Sequence, residues 1–166
     1  MASGDTLVVL LPTDNEPPPS GYATFDVRNG HPVLDFSDAT DEACVFSFVM
    51  PRNYGGDGLT VHLHYSMTSA VSGKVRLDAS FERVGIGVQD VDADGLAAPQ
   101  SVVVAAVPAN SGDVDVAAIA FGSGAPIDSI AAGELCRIKV ERKPSDATND
   151  TATGDLELHA IEIQET

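Results

Sequence analysis

The stretch LTVHLHYSM, residues 59–67, alternates apolar and polar side chains one by one. Leu59, Val61, Leu63 and Tyr65 fall on one side, and Thr60, His62, His64 and Ser66 on the other. A period of two places alternate residues on opposite faces of an extended chain, so one face meets a core and the other faces out. The same rhythm returns in KVRLDASFER, where Val75, Leu77, Ala79 and Phe81 alternate with Lys74, Arg76, Asp78, Ser80 and Glu82. It returns again in LCRIKVER, where Cys136, Ile138 and Val140 alternate with Arg137, Lys139 and Glu141.

Further strands are predicted at 6–11, 22–27, 32–36, 43–50, 100–107, 114–121 and 155–164. Several of these are continuous apolar runs, which predicts burial on both faces. Gly, Pro, Asn and Asp punctuate the gaps, as in RNGH, PRNYGGDG, VSGK and PANSGD. No window of a dozen residues carries a 3.6 period. The one helical turn expected is PIDSIAAG, opened by Pro126 and closed by Gly133. Nine or ten strands with almost no helix define an all-β protein, a sandwich or a barrel. Strands of this length joined by several long loops fit a jelly roll better than an up-and-down barrel.

Residues 1–21 read differently from residues 22–166. The apolar run TLVVLL leads into PTDNEPPPSG, whose prolines favour an extended, semi-rigid linker. This predicts an N-terminal arm ahead of one jelly-roll domain. The simpler reading is an edge strand and a loop; the sharper one is an arm that adds its strand, through Leu7, Val8, Val9 and Leu10, to the sheet of a neighbouring subunit or another protein.

Charge narrows the partners. Asp and Glu number 25 against 9 Lys and Arg, a formal net charge of −16. A chain this acidic repels phosphate backbones and anionic membranes, so neither nucleic acid nor a membrane is an expected partner. No run approaches the roughly 20 apolar residues of a membrane-spanning helix. The first apolar run is too short for a secretion signal, so synthesis in the cytoplasm is expected. Cys44 and Cys136 sit within apolar strand patterns and are expected as buried, reduced thiols.

The motifs that could carry chemistry are incomplete. His62 and His64 have the His-x-His spacing of a cupin-like metal enzyme, but Thr68 and Ser69 stand where the third ligand, a glutamate, belongs. Asp90, Asp92, Asp94 and Gly95 match the opening of an EF-hand calcium loop, but Ser101 occupies the position of its bidentate glutamate. No Gly-x-Ser-x-Gly elbow is present, and neither cysteine has a histidine beside it. The expectation is a non-enzyme without a cofactor.

The order ATFDVRNGHPVLDFSDATDEACVFSFVMPRNYGGDGLTVHLHYSM, followed by DSIAAGELCRIKVERKPSDATNDTATGDLELHAIEIQET, resembles small β-sandwich virion proteins of tailed phages, above all capsid decoration or cement proteins. That resemblance covers most of residues 22–166. It implies a homotrimeric jelly roll on the virion surface that clamps neighbouring copies of the major capsid protein, and it transfers no catalytic residue. Under it, His62, His64, Arg76 and Arg137 become candidates for subunit interfaces. The alternative is a jelly roll that binds carbohydrate or a host surface. Such sites stack sugars on aromatics; the chain has no Trp and only Tyr22, Tyr54 and Tyr65, of which Tyr54 in the glycine-rich loop is the expected anchor.

Overall fold

The computed structural model describes residues 4–166 and contains ten strands among them. These are β1 (Thr6–Leu10), β2 (Thr24–Arg28), β3 (His31–Phe36), β4 (Glu42–Val49), β5 (Leu59–Met67), β6 (Val75–Val84), β7 (Gln100–Val104), β8 (Asp115–Phe121), β9 (Leu135–Arg142) and β10 (Leu156–Glu165). Two short 3-10 turns, Pro12–Asp14 and Ala125–Ile127, are the helical content. The second occupies the start of the predicted helical turn and does not extend it, because Asp128 and Ser129 take positive φ angles that end it.

The strands form two antiparallel sheets. One runs β2-β3-β10-β5-β8, with β1 added along β10 beyond the end of β3; the other runs β4-β9-β6-β7. The chain passes from one sheet to the other at six of the nine connections between strands, as in a jelly-roll β-sandwich. The β2–β3 hairpin stays within one sheet. Asn29 and Gly30 turn it with φ of 47° and 81°, the left-handed pair that a two-residue hairpin needs.

The predicted alternation governs the core. Leu59, Val61, Leu63 and Tyr65 of β5 meet Val75, Leu77, Ala79 and Phe81 of β6 and Cys136, Ile138 and Val140 of β9 across the sandwich. Phe81 and Phe121, from opposite sheets, stack edge to face with ring centroids 4.9 Å apart. Arg142 continues the inward register of β9 and is fully buried. Its guanidinium donates to both carboxylate oxygens of Asp150 at 2.9 and 3.0 Å and to the carbonyls of Phe36, Ala152 and Gly154. Every donor is used, which is how a charge survives inside a sandwich.

One expectation needs correcting. The apolar runs of β7 and β8 pack on one face only, half-buried in β7 and buried in β8, because a two-sheet sandwich offers each strand a single layer to pack against. The N-terminal arm folds back on its own chain: β1 pairs with β10 through Val8↔Ile163, Val9↔Glu162 and Leu10↔Ile161. Leu10 is buried, and Leu7 and Val8 pack against the core, so the arm's apolar side is spent within the chain. Cys44 and Cys136 are free, buried thiols, and burial pushes the Cys136 thiol up to about 12.

Candidate functional site

The arm builds one wall of a cleft on the surface. After Leu11 the chain turns through Pro12–Asp14, where the Leu11 N–H donates to the Asp14 carboxylate at 3.0 Å. It then runs along β4, the edge strand of the four-stranded sheet. Asn15 Oδ1 accepts from the Val45 N–H at 3.1 Å, and the Glu16 N–H donates to the Val45 carbonyl at 2.7 Å. Further on, Ala23 and Ala43 are joined by a 2.9 Å backbone bond just before β2 begins. The arm therefore satisfies backbone groups that an open sheet edge leaves unpaired.

Between arm and β2 lies a cleft of about 420 Å³. Pro12, Pro17, Tyr22 and Phe25 supply apolar walls, and Thr13 and Thr24 supply hydroxyls. Tyr22 is 50% exposed and Phe25 52%. Of the nine aromatic side chains in the sequence, these two alone are exposed, and both line this cleft. Phe25 points to the core side of its sheet, opposite Leu34 in the register, yet β2 is the edge strand and overhangs the opposite sheet. The alternation of β2 matches that of a buried strand, so periodicity alone marks Phe25 as core. The proline-rich segment preceding Tyr22 is the one signal that could have drawn attention to it.

Tyr54, the expected stacking anchor, is only 6% exposed. Its hydroxyl donates to the Asp57 carbonyl within the glycine-rich loop, and burial, with Glu165 and Asp57 nearby, pushes its pKa up to about 12. It shapes its loop and offers no face to a ligand.

The four histidines share the outward face of the six-stranded sheet. His62 Nε2 lies 3.0 Å from Gln164 Oε1, and His64 Nε2 lies 3.5 Å from Glu162 Oε2. A bulge in β10 between Leu158 and Ala160 brings His159 to the same face, with its Nε2 2.8 Å from Ser66 Oγ. His31 and His159 together line two adjoining grooves of about 290 and 200 Å³. Burial lowers the pKa of His159, with His31, Arg28 and His64 acting in the same direction and Glu157 against them. Glu157 accepts from Arg28 and from Ser66. Among the described residues, no three His, Cys, Asp or Glu side chains are arranged to hold a metal ion. His62 and His64 thus stand beside a glutamine and a glutamate, and His31 and His159 do not join them in a coordination shell.

The remaining candidates are placed as follows. Arg76 is held by Asp78 at 3.0 Å and Asp146 at 2.8 Å, and Arg137 by Glu82 at 3.0 Å. Both cations are already paired within the chain. Asp90, Asp92 and Asp94 lie exposed in the loop between β6 and β7. There the Asp90 carbonyl accepts from the N–H groups of Ala93 and Asp94, each at 2.9 Å, and Asp90 Oδ1 accepts from the Asp92 N–H at 3.0 Å. The segment is a hydrogen-bonded turn.

No family model matches the chain, and no curated protein matches it. Solved structures do. Of this chain, 99% superposes on 18% of a family GH115 4-O-methyl-α-glucuronidase with specificity for decorated arabinogalactans, at a TM-score of 0.56 and 12% identity. Another 97% superposes on the whole of the C-terminal CBM6 of LamC, a marine laminarinase from Zobellia galactanivorans, at 0.50 and 9%. A third match, to the MgGH51 α-L-arabinofuranosidase, takes in 91% of this chain and 23% of that one, at 0.51 and 10%. The chain thus spans less than a quarter of the two enzymes and the full length of the module. At such identities the likeness is one of fold, and the class it defines is the jelly-roll β-sandwich.

Proposed function

We propose that this protein is a non-catalytic carbohydrate-binding jelly roll whose site is the cleft between the N-terminal arm and β2. The observation that carries the reading is the gathering of the two exposed aromatics, Tyr22 and Phe25, in one cleft with proline walls and threonine hydroxyls. A sugar ring has an apolar face and a polar rim. An aromatic platform beside hydroxyl groups matches both, and a concave site removes water from the contact. The net charge of −16 selects neutral sugars over acidic ones by repulsion. The likeness of fold to parts of carbohydrate-active proteins agrees with this reading.

The test is titration calorimetry against neutral polysaccharides (β-1,3-glucan, arabinogalactan, xylan) and against alginate as an acidic control. Binding to at least one neutral polymer is expected, weakened about tenfold or more in Tyr22→Ala and in Phe25→Ala. Both residues are half exposed, so thermal midpoints should hold. Affinity unchanged in both variants would reject the cleft, and no binding to any neutral polymer would reject the reading.

A second reading is the homotrimeric capsid decoration protein that the sequence resemblance implies. The exposed valines Val9, Val114 and Val116 around the histidine face of the six-stranded sheet favour an interface there. Light scattering at high concentration tests it: a trimer is expected, and a monomer counts against it.

A further inference from the structure

The loop joining β6 to β7 carries the most exposed large apolar residues among those described. Ile86 is 79% exposed, Val88 71% and Val91 70%, all within six positions of one another. Isolated surface valines need no explanation, but three within six positions of one loop put a concentration of apolar surface in water. The loop is held in shape. The Gly85 N–H donates to Gln89 Oε1 at 2.8 Å, while the Gly85 carbonyl accepts from Val88 and Gln89 at 3.1 and 3.2 Å. At its base, the Ala97 N–H donates to the Phe81 carbonyl at 2.8 Å, and Arg83 is gripped by both oxygens of Glu134 at 2.6 and 2.7 Å. A patch that is already ordered loses little entropy on docking.

Charge decides what it docks to. Asp90, Asp92 and Asp94 stand among the apolar residues, segment 84–99 contains no Lys or Arg, and Glu134 offsets the nearby Arg83. An anionic bilayer or a nucleic acid meets repulsion here. A second copy of this chain, at −16, does so as well.

We propose that this loop is a docking knob for a partner protein that presents an apolar recess rimmed by Lys or Arg. The knob lies at the far end of the four-stranded sheet from the aromatic cleft. Val84 pairs with Leu135 and Leu135 with Val49, whereas the arm crosses β4 at Ala43 and Val45. The exposed Val49 and Leu135 lie at the same end and extend its apolar surface. One end of the sandwich therefore offers an aromatic cleft and the other an attachment point, and the two are independent of each other.

The experiment uses the full chain and two synthetic helical peptides. One has Leu along one face and Lys along the other; its control replaces every Leu with Ser and keeps the Lys. By calorimetry, the intact protein should bind the Leu/Lys peptide about tenfold more tightly than the Ser/Lys control. The triple variant Ile86→Ser, Val88→Ser, Val91→Ser should lose that preference with its thermal midpoint unchanged. The variant Asp90→Asn, Asp92→Asn, Asp94→Asn should bind several-fold more weakly at low salt and converge with the intact protein at high salt. Equal binding of both peptides, or a preference that survives the apolar triple variant, overturns the proposal. So does loop-dependent self-association in light scattering, or loop-dependent binding to anionic vesicles. Glycan binding measured on the same variants should stay unchanged, so failure at one end is distinguishable from failure at the other.

Discussion

Asp35 shows how a single side chain can set a pH dependence. It sits on β3 beside Glu157 of β10, and one of its carboxyl oxygens is buried without a hydrogen-bond partner. Burial first, then Glu157, Asp26 and Asp155, pushes its pKa from 3.8 up to about 6. The fold therefore prefers the protonated acid. Its contribution is fully present below pH 3.8, where the unfolded chain is protonated too, and is lost as pH rises through 6. His159, with its lowered pKa, acts in the opposite sense: its contribution is present above 6.5 and is lost as pH falls. Asp35→Asn isolates the first effect, since an amide stays neutral. A fully realised shift is worth about 3 kcal/mol, and the partial exposure of Asp35 reduces the expected gain at pH 8 to about 1 kcal/mol. That gain should vanish near pH 4 in urea titrations. A gain that is the same at pH 4 and pH 8 would show that the carboxyl is not the cause.

At the scale of elements, the arm is the informative case. Its strand was legible in the sequence as an apolar run, and so was the stiff proline segment after it. Which sheet it joins was not legible, because β1 and β10 are separated by nearly the whole chain. Within β1 the two faces differ sharply: Leu10 is 5% exposed and Val9 55%. Leu10→Ala should cost about 2–4 kcal/mol, and Val9→Ala within about 0.5, measured by equilibrium denaturation. Equal costs would mean that β1 is not seated on β10 as described. The apolar runs of β7 and β8 teach the complementary point. A run of valines or alanines permits burial on both faces, but a strand of a two-layer sandwich has only one layer to pack against.

For the whole molecule, the imbalance of 25 acids over 9 bases dominates. The basic residues are largely committed to partners: Arg28 to Glu157, Arg76 to Asp78 and Asp146, Arg83 to Glu134, Arg137 to Glu82, Arg142 to Asp150 and Lys143 to Asp41. The surplus carboxylates are left to repel one another across a compact body. Salt shortens the reach of that repulsion to about 10 Å at 0.1 M and less above it. Raising sodium chloride from about 0.05 to 0.5 M should therefore raise the thermal midpoint by several degrees, despite the weakening of individual ion pairs. A midpoint that falls with salt would show that the pairs outweigh the repulsion.

What the sequence determined by itself was the all-β class, the strands, and which side chains share a face along each. The alternation of Leu59, Val61, Leu63 and Tyr65 with His62 and His64 holds because extended backbone points successive side chains in opposite directions, a purely local fact. What only the tertiary structure decided was what stands opposite each face. Phe25 has the register of a core residue and is exposed because β2 ends its sheet. Tyr54 sits in a loop rich in glycine and is buried because Glu165 and Asp57 close around it. The four histidines meet on one face because β3, β5 and β10 become neighbours. Pairing between strands far apart in the chain sets these outcomes, and the period of any one strand carries no information about its neighbours.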